Sequence, residues 1–255
     1  MTPTPENIIP GAEPGSWAGG PNGALVVHGF TGNPQSMRGL AEAFAGAGFT
    51  VEMPLLPGHG TVVADMIPTR WEDWSGAAEA AYQALAARCE KVVVAGLSMG
   101  GTITCWLAAN HPEIAGIVVV NPAVEPPADS FLDIFQGSLD AGLEVIPGIG
   151  NDVADPDVTE LAYPETPLAA GLSMFGAINE LAGRLGDIRC PVLLLNSPQD
   201  HVVPPSNADF LAERVGGPIE RVSLDRSYHV ATIDFDKDEI QQRAVAFAEK
   251  VTTAF

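Results

Sequence analysis

One stretch restricts the fold of this chain more than any other. Val92-Val93-Val94-Ala95 runs into Gly96-Leu97-Ser98-Met99-Gly100-Gly101. The β-branched run reads as a buried strand, and a helical pattern begins just after the glycines. Joining the two needs a sharp turn that strains the residue at its apex and leaves no room for side chains two positions before and after it. Gly96 and Gly100 meet that need, and Gly101 lets the new helix pack closely. Ser98 takes the apex, with its Oγ lifted above the sheet edge and the Met99 N–H aimed where an oxyanion would form. The competing reading is a chance Gly-x-Ser-x-Gly in a chain with 27 glycines among 255 residues. The flanking strand and helix argue against it.

Upstream, Ala24–Val27 is a short apolar strand ending in His28-Gly29-Phe30-Thr31-Gly32. Glycine at a strand end lets backbone N–H groups face a ligand, and the Phe30 N–H is the second expected oxyanion donor. The Phe30 ring is free to pack on the core, because only the backbone is used. His28 reads as a brace for this loop. Asn33 and Pro34 mark a helix start, and Gly48 marks its end. Thr50–Pro54 is the next strand, followed by a Gly58-His59-Gly60 loop. His59 precedes the serine, the wrong chain order for its general base. Trp71 to about Arg88 is an amphipathic helix, and Ile114–Val120 another strand. Strands alternating with helices imply βαβ units and a mostly parallel sheet. Residues 1–23 read as a surface arm with room for one short edge strand.

Residues 122–183 break the rhythm with Pro122, Pro126, Pro127, Pro147-Gly148 and Pro164–Pro167. The stretch is too long for an ordinary connection. It is expected to form a small helical cap, inserted after the sixth strand, on a core of residues 1–121 and 184–255. Phe131, Leu132, Ile134, Phe135, Leu139, Leu143, Ile146 and Ile149 would give the cap an apolar inner surface. The competing reading is a decorative insertion.

A serine hydroxyl needs a base to take its proton and a carboxylate to fix the base's tautomer. Asp200 follows the strand Val192–Asn196, and His229 follows the strand Ile219–Leu224. The order Ser98, Asp200, His229 places all three at strand ends, where the binding groups of an open α/β sheet gather. Rivals fail on position. Asp225 belongs to the histidine's own loop, Asp187 precedes its strand, and His201 directly follows Asp200. No metal or cofactor is needed for this chemistry.

A net charge of −20, from 32 acidic and 12 basic residues, argues against nucleic acid and anionic membrane surfaces as partners. It is easier to reconcile with an uncharged small-molecule ester. Cys89, Cys105 and Cys190 are odd in number and fit no metal spacing. They read as reduced, and with no signal pattern at the N-terminus the expected location is cytoplasmic. No apolar run is long enough to span a membrane, so any contact with lipid aggregates would be transient. The sequence leaves the oligomeric state open.

The stretches His28-Gly29-Phe30-Thr31-Gly32, Gly58-His59-Gly60, Gly96–Gly101, Asp200-His201-Val202-Val203-Pro204 and Ser227-Tyr228-His229-Val230-Ala231-Thr232 together resemble the bacterial carboxylesterase and monoacylglycerol lipase family of α/β-hydrolases. The resemblance spans nearly the whole chain. It implies an α/β-hydrolase fold, a Ser98–Asp200–His229 triad, and an oxyanion hole from the Phe30 and Met99 amides. It further implies that Glu160, in Asp155–Tyr163, binds a glycerol hydroxyl and that Ile149 lines the acyl or alcohol path. Residues 123–147 depart from the family pattern, which leaves acyl-length preference open. The favoured activity is hydrolysis of small to medium acyl esters, with monoacylglycerol foremost. The alternatives are a lactone or C–C bond hydrolase on the same triad, and a catalytically silent small-ligand-binding protein.

Overall fold

The computed structural model describes residues 7–253; the first six residues of the expected N-terminal arm lie outside the described residues. The elements follow in order: β1 (Gly15–Trp17), β2 (Asn22–Val27), α1 (Arg38–Gly46), β3 (Thr50–Met53), α2 (Val63–Met66), α3 (Trp71–Ala86), β4 (Lys91–Leu97), α4 (Met99–Asn110), β5 (Gly116–Val120), α5 (Asp129–Asp140), β6 (Val145–Pro147), β7 (Glu165–Pro167), α6 (Leu168–Ala182), β8 (Val192–Asn196), α7 (Ser206–Ala212), β9 (Ile219–Ser223) and α8 (Lys237–Thr253).

Seven strands form one sheet in the order β1-β3-β2-β4-β5-β8-β9. Within this sheet, among the described residues, only the β1–β3 pair is antiparallel. Both faces are covered, and the strand residues show it. Val92 and Val94 of β4 join one apolar cluster with Trp74, Tyr82, Ile103 and Ile178 of α3, α4 and α6. Val93, Ala95 and Leu97 join the other, with Leu40 and Phe44 of α1 and Ile240 and Phe247 of α8. Alternate residues thus serve opposite faces, as the two-residue strand period requires, and both are apolar because neither face meets water.

The register levels the strand ends. Gly96 of β4 pairs with Val27 of β2 and with Val119 of β5. Val120 pairs with Leu195 of β8, and Asn196 with Ser223 of β9. The loops beginning at His28, Ser98, Asn121, Ser197 and Leu224 therefore all leave from one edge.

Two expectations need correction. Counted along this chain the insertion follows the fifth strand, β5, because the N-terminal segment contributes a single edge strand, β1. The stretch 122–183 also encloses two packing units. Strands β6 and β7 pair with each other and lie outside the main sheet. In α6, by contrast, Ala170, Met174, Ile178 and Leu181 join the same core cluster as α3 and α4. The expected apolar inner surface is only partly inward: Phe135 is buried against Phe131 and Phe175, but Phe131, Ile134, Leu143 and Ile149 are exposed.

Glycine spacing explains the connection at the end of β4. A Cβ on Gly96 would lie 2.1 Å from the Gly100 carbonyl oxygen, and one on Gly100 would lie 2.2 Å from that of Val27. Gly76, exposed within α3, would meet nothing within 4 Å. Gly100→Ala should therefore destabilise the protein by about 1–3 kcal/mol or more through overpacking against backbone. Gly76→Ala should stabilise it by about 0.5–1 kcal/mol. Urea unfolding midpoints that move in opposite directions would bear this out; midpoints moving together would contradict it.

Candidate active site

Ser98 connects β4 to α4 with φ 56° and ψ −121°. A non-glycine residue reaches this region only when its surroundings impose it. Here the Ser98 N–H donates to Val120 O at 3.0 Å, and its own carbonyl accepts the Thr102 N–H at 3.0 Å. Gly29 of the neighbouring loop comes so close that a Cβ there would lie 3.4 Å from Ser98 Cβ. Met99 opens α4, so its N–H has no acceptor within the helix.

Asp200 and His229 meet as the strand ends suggested. His229 Nδ1–H donates to Asp200 Oδ2 at 2.7 Å, with both side chains almost wholly buried. Asp200 Oδ1 accepts the N–H groups of Val202 and Val203, each at 2.8 Å. The carboxylate is thereby fixed, and in a neutral imidazole the Nδ1–H bond leaves Nε2 as the acceptor.

Asn121 carried no signal in the sequence, yet it joins three of these loops. It has φ 43°. Its Nδ2 donates to Ser197 Oγ at 3.1 Å and to the His229 carbonyl at 2.8 Å, and its Oδ1 accepts the Ser197 N–H at 2.7 Å. Its neighbour Val120 holds the Ser98 N–H. Adjacent residues of one strand end therefore hold the serine and the histidine loop.

The segment 159–163 lies along the loop after β2. Tyr163 N–H donates to Thr31 O at 3.1 Å, Gln35 bonds Thr159 and Leu161, and Asn33 Nδ2 donates to Leu161 O. Tyr163 Oη donates to Gly58 O and accepts the Thr61 N–H, each at 2.9 Å. Between these anchors stands Glu160. A Cβ on Gly32 would lie 2.9 Å from its Oε1. Burial raises the Glu160 carboxyl above the ordinary carboxylate range, and the nearby His229 imidazole partly offsets this. Glu160 thus faces the space between the Gly32 loop and His229. Ile149 is 68% exposed.

Three other histidines lie on or beside these loops, each with its own surroundings. His28 Nδ1–H donates to Gly29 O at 2.9 Å, and its Nε2 accepts the Leu56 N–H at 3.1 Å. His59 is fully buried edge-on to His28, Phe30 and Trp74. His201, beside the aspartate, turns away to Asp152, with 2.8 Å between Nδ1 and Oδ1. Among the described residues no cluster of three or more His, Cys, Asp or Glu side chains is placed to hold a metal ion.

A profile described as Alpha/beta hydrolase family matches residues 24–241. The chain belongs to that family. It is 46% identical over 244 residues to the thermostable monoacylglycerol lipase of Bacillus sp. (strain H-257), covering 95% of this chain and 96% of that one. It is 24% identical to the carboxylesterase of Bacillus subtilis (strain 168), covering 94% and 97%. Among solved structures, one described with LipS and LipT, two metagenome-derived lipolytic enzymes, superposes with a TM-score of 0.91 at 43% identity, covering 95% of this chain and 99% of that one. The monoacylglycerol lipase of Paleococcus ferrophilus shares the fold, with a TM-score of 0.76 at 20% identity over 94% of this chain and 98% of that one.

Burial lowers the pKa of His28 from its ordinary 6.5 to about 4. A base that resists protonation only when folded binds more protons in the unfolded state across that window. Stability therefore falls as pH drops through it, by an amount on the order of 3 kcal/mol in all. His28→Gln removes this dependence. In urea unfolding, the stability advantage of the natural protein over His28→Gln should shrink as pH is lowered from 6.5 towards 4. An advantage constant across the window would contradict it.

Proposed function

We propose that the protein is a serine ester hydrolase of the monoacylglycerol lipase and carboxylesterase kind, with Ser98, Asp200 and His229 as its triad. The observation that carries the reading is the buried 2.7 Å bond between His229 and Asp200, at the sheet edge where Ser98 is held at φ 56°. The 46% identity to a monoacylglycerol lipase over nearly the whole chain supports the same conclusion.

Ser98 Oγ attacks the ester carbonyl carbon as His229 Nε2 takes its proton. Asp200 stabilises the imidazolium that results. The carbonyl oxygen, now an anion, lies between the N–H groups of Phe30 and Met99, and losing one such donor typically costs about 10²–10³ in rate. Collapse of the tetrahedral intermediate breaks the bond to the alcohol oxygen, which leaves with the proton from His229. Water, deprotonated by the same imidazole, attacks the acyl-serine, and the acid departs as Ser98 regains its proton.

Glu160 stands on the alcohol side of this arrangement. A half-buried carboxyl with no hydrophobic task suits an alcohol bearing hydroxyl groups, which favours monoacylglycerol over a simple alkyl ester. Ile149 is exposed two residues before the Asn151 that binds the Glu160 N–H, which suits a residue lining the acyl or alcohol path. The exposed Phe131, Ile134 and Leu143 support transient contact with lipid aggregates. Among the described residues no helix is long and apolar enough to cross a membrane. Cys89, Cys105 and Cys190 are free thiols, which supports a cytoplasmic location.

Ser98→Ala should keep the fold by circular dichroism and lose turnover of nitrophenyl esters and monoacylglycerols by at least about 10⁴-fold. Undiminished turnover would remove Ser98 as nucleophile. Glu160→Ala should raise KM for a monoacylglycerol by on the order of tenfold, the worth of a hydrogen bond to a charged group. The methyl ester of the same acid should be unaffected. Equal losses on both esters would refute an alcohol-side role for Glu160.

A further inference from the structure

Asp152 belongs to the insertion, yet its side chain is committed to the two loops that carry the acid and the base. Oδ2 accepts the backbone N–H of His229 at 3.0 Å and that of His201 at 3.1 Å. Oδ1 accepts Nδ1–H of His201 at 2.8 Å. The Asp152 carbonyl takes the Val230 N–H at 3.1 Å. The His201 ring in turn lies edge-on to Tyr228, with 4.6 Å between centroids. Asp152 therefore grips the residue after Asp200 and both the N–H of His229 and that of its successor.

The two loops leave different strands, β8 and β9. Their relative position decides whether imidazole and carboxylate meet at 2.7 Å. Asn121 holds them from the sheet side, through Ser197 and the His229 carbonyl. Asp152 holds them from above, by a carboxylate that touches neither catalytic side chain. Its chain neighbour serves the other half of the site: Asn151 Oδ1 accepts the Glu160 N–H at 2.8 Å, and Asn151 Nδ2 donates to Val158 O at 3.2 Å. Two successive residues thus place the carboxyl on the alcohol side and the base.

We infer that Asp152 is a positioning residue for the acid–base pair, and that docking of the insertion and assembly of a working His229–Asp200 pair are one event. The inference rests on the reading of Ser98, Asp200 and His229 as the triad. Truncating the side chain leaves two backbone N–H groups and an imidazole without their shared acceptor. Catalysis is steep in such displacements; an error of about 1 Å in a reacting group can cost on the order of 10²-fold.

The test uses the whole protein and the burst of nitrophenol released in the first turnover of a nitrophenyl ester. Burst amplitude counts working sites, and burst rate reads acylation at each one. In Asp152→Ala the rate per site should fall about 10- to 100-fold. Asp152→Asn is nearly isosteric and keeps one oxygen for the backbone N–H groups, so it should fall by an intermediate, severalfold amount. This second variant decides the matter if Asp152→Ala does not fold. A per-site rate within about twofold of the natural protein in either folded variant, even with a smaller burst, would overturn the inference, because a purely structural side chain changes the number of sites and not their rate. A burst that survives Ser98→Ala would instead remove the triad reading beneath it. A burst abolished by Ser98→Ala alongside unaltered Asp152 variants would overturn the role of Asp152 alone.

Discussion

The contact between Gly100 and the Val27 carbonyl sets the terms for the whole site. It brings the start of α4 so close to β2 that a single added carbon would stand 2.2 Å from that oxygen. With Gly96 tight against Gly100 on the other side, the chain has one way through, and Ser98 is left at φ 56°. Backbone strain of this kind costs about 1–3 kcal/mol and persists only where packing over-determines it. The return on that cost is geometric. The serine stands clear of the sheet, and the first N–H of α4 is unclaimed beside it.

Around this fixed point the chain uses carboxylates as clamps for its own backbone. It has 32 acidic residues and only 12 basic ones, so few buried acids can find a cation. Asp200 accepts two N–H groups as well as the imidazole. Fully buried Asp234 accepts four, from Ala154, Asp155, Tyr228 and Phe235. Asp236 accepts the Arg226 N–H and pairs with its guanidinium. Donors of this kind satisfy carboxylate oxygens that burial removes from water. Asp234 and Asp152 each link residues 152–155 to the histidine loop. The insertion is thus split by its anchoring: the part beginning at Asn151 is hydrogen-bonded to the core, while α5 and the turn to Leu143 rest on aromatic contacts and leave apolar side chains in solvent.

How much of this the sequence carried depends on how local each signal is. The turn at Ser98 is written in six consecutive residues, and the parallel strands in short β-branched runs, so both could be read directly. Asp200 and His229 were legible because each follows such a run and because their order fits the serine. Asn121, Asp152 and Asp234 were not. Their bonds reach across 108, 77 and 79 positions respectively, and no period or neighbouring glycine marks them. The apolar residues of α5 looked inward because composition cannot say which way a short helix faces. The Leu- and Ala-rich face of α6 suits a cap and a core helix equally. The alcohol-side role proposed for Glu160 draws on family resemblance; on its own it is one acid among many.

The most direct measurement is covalent trapping with a phosphonate ester, followed by mass spectrometry of the digested protein. One adduct should form, on Ser98, at a rate strongly reduced by His229→Ala and absent in Ser98→Ala. An adduct on any other residue that abolishes ester turnover, or full turnover with Ser98 quantitatively blocked, would contradict a nucleophile built at the apex of the β4–α4 turn.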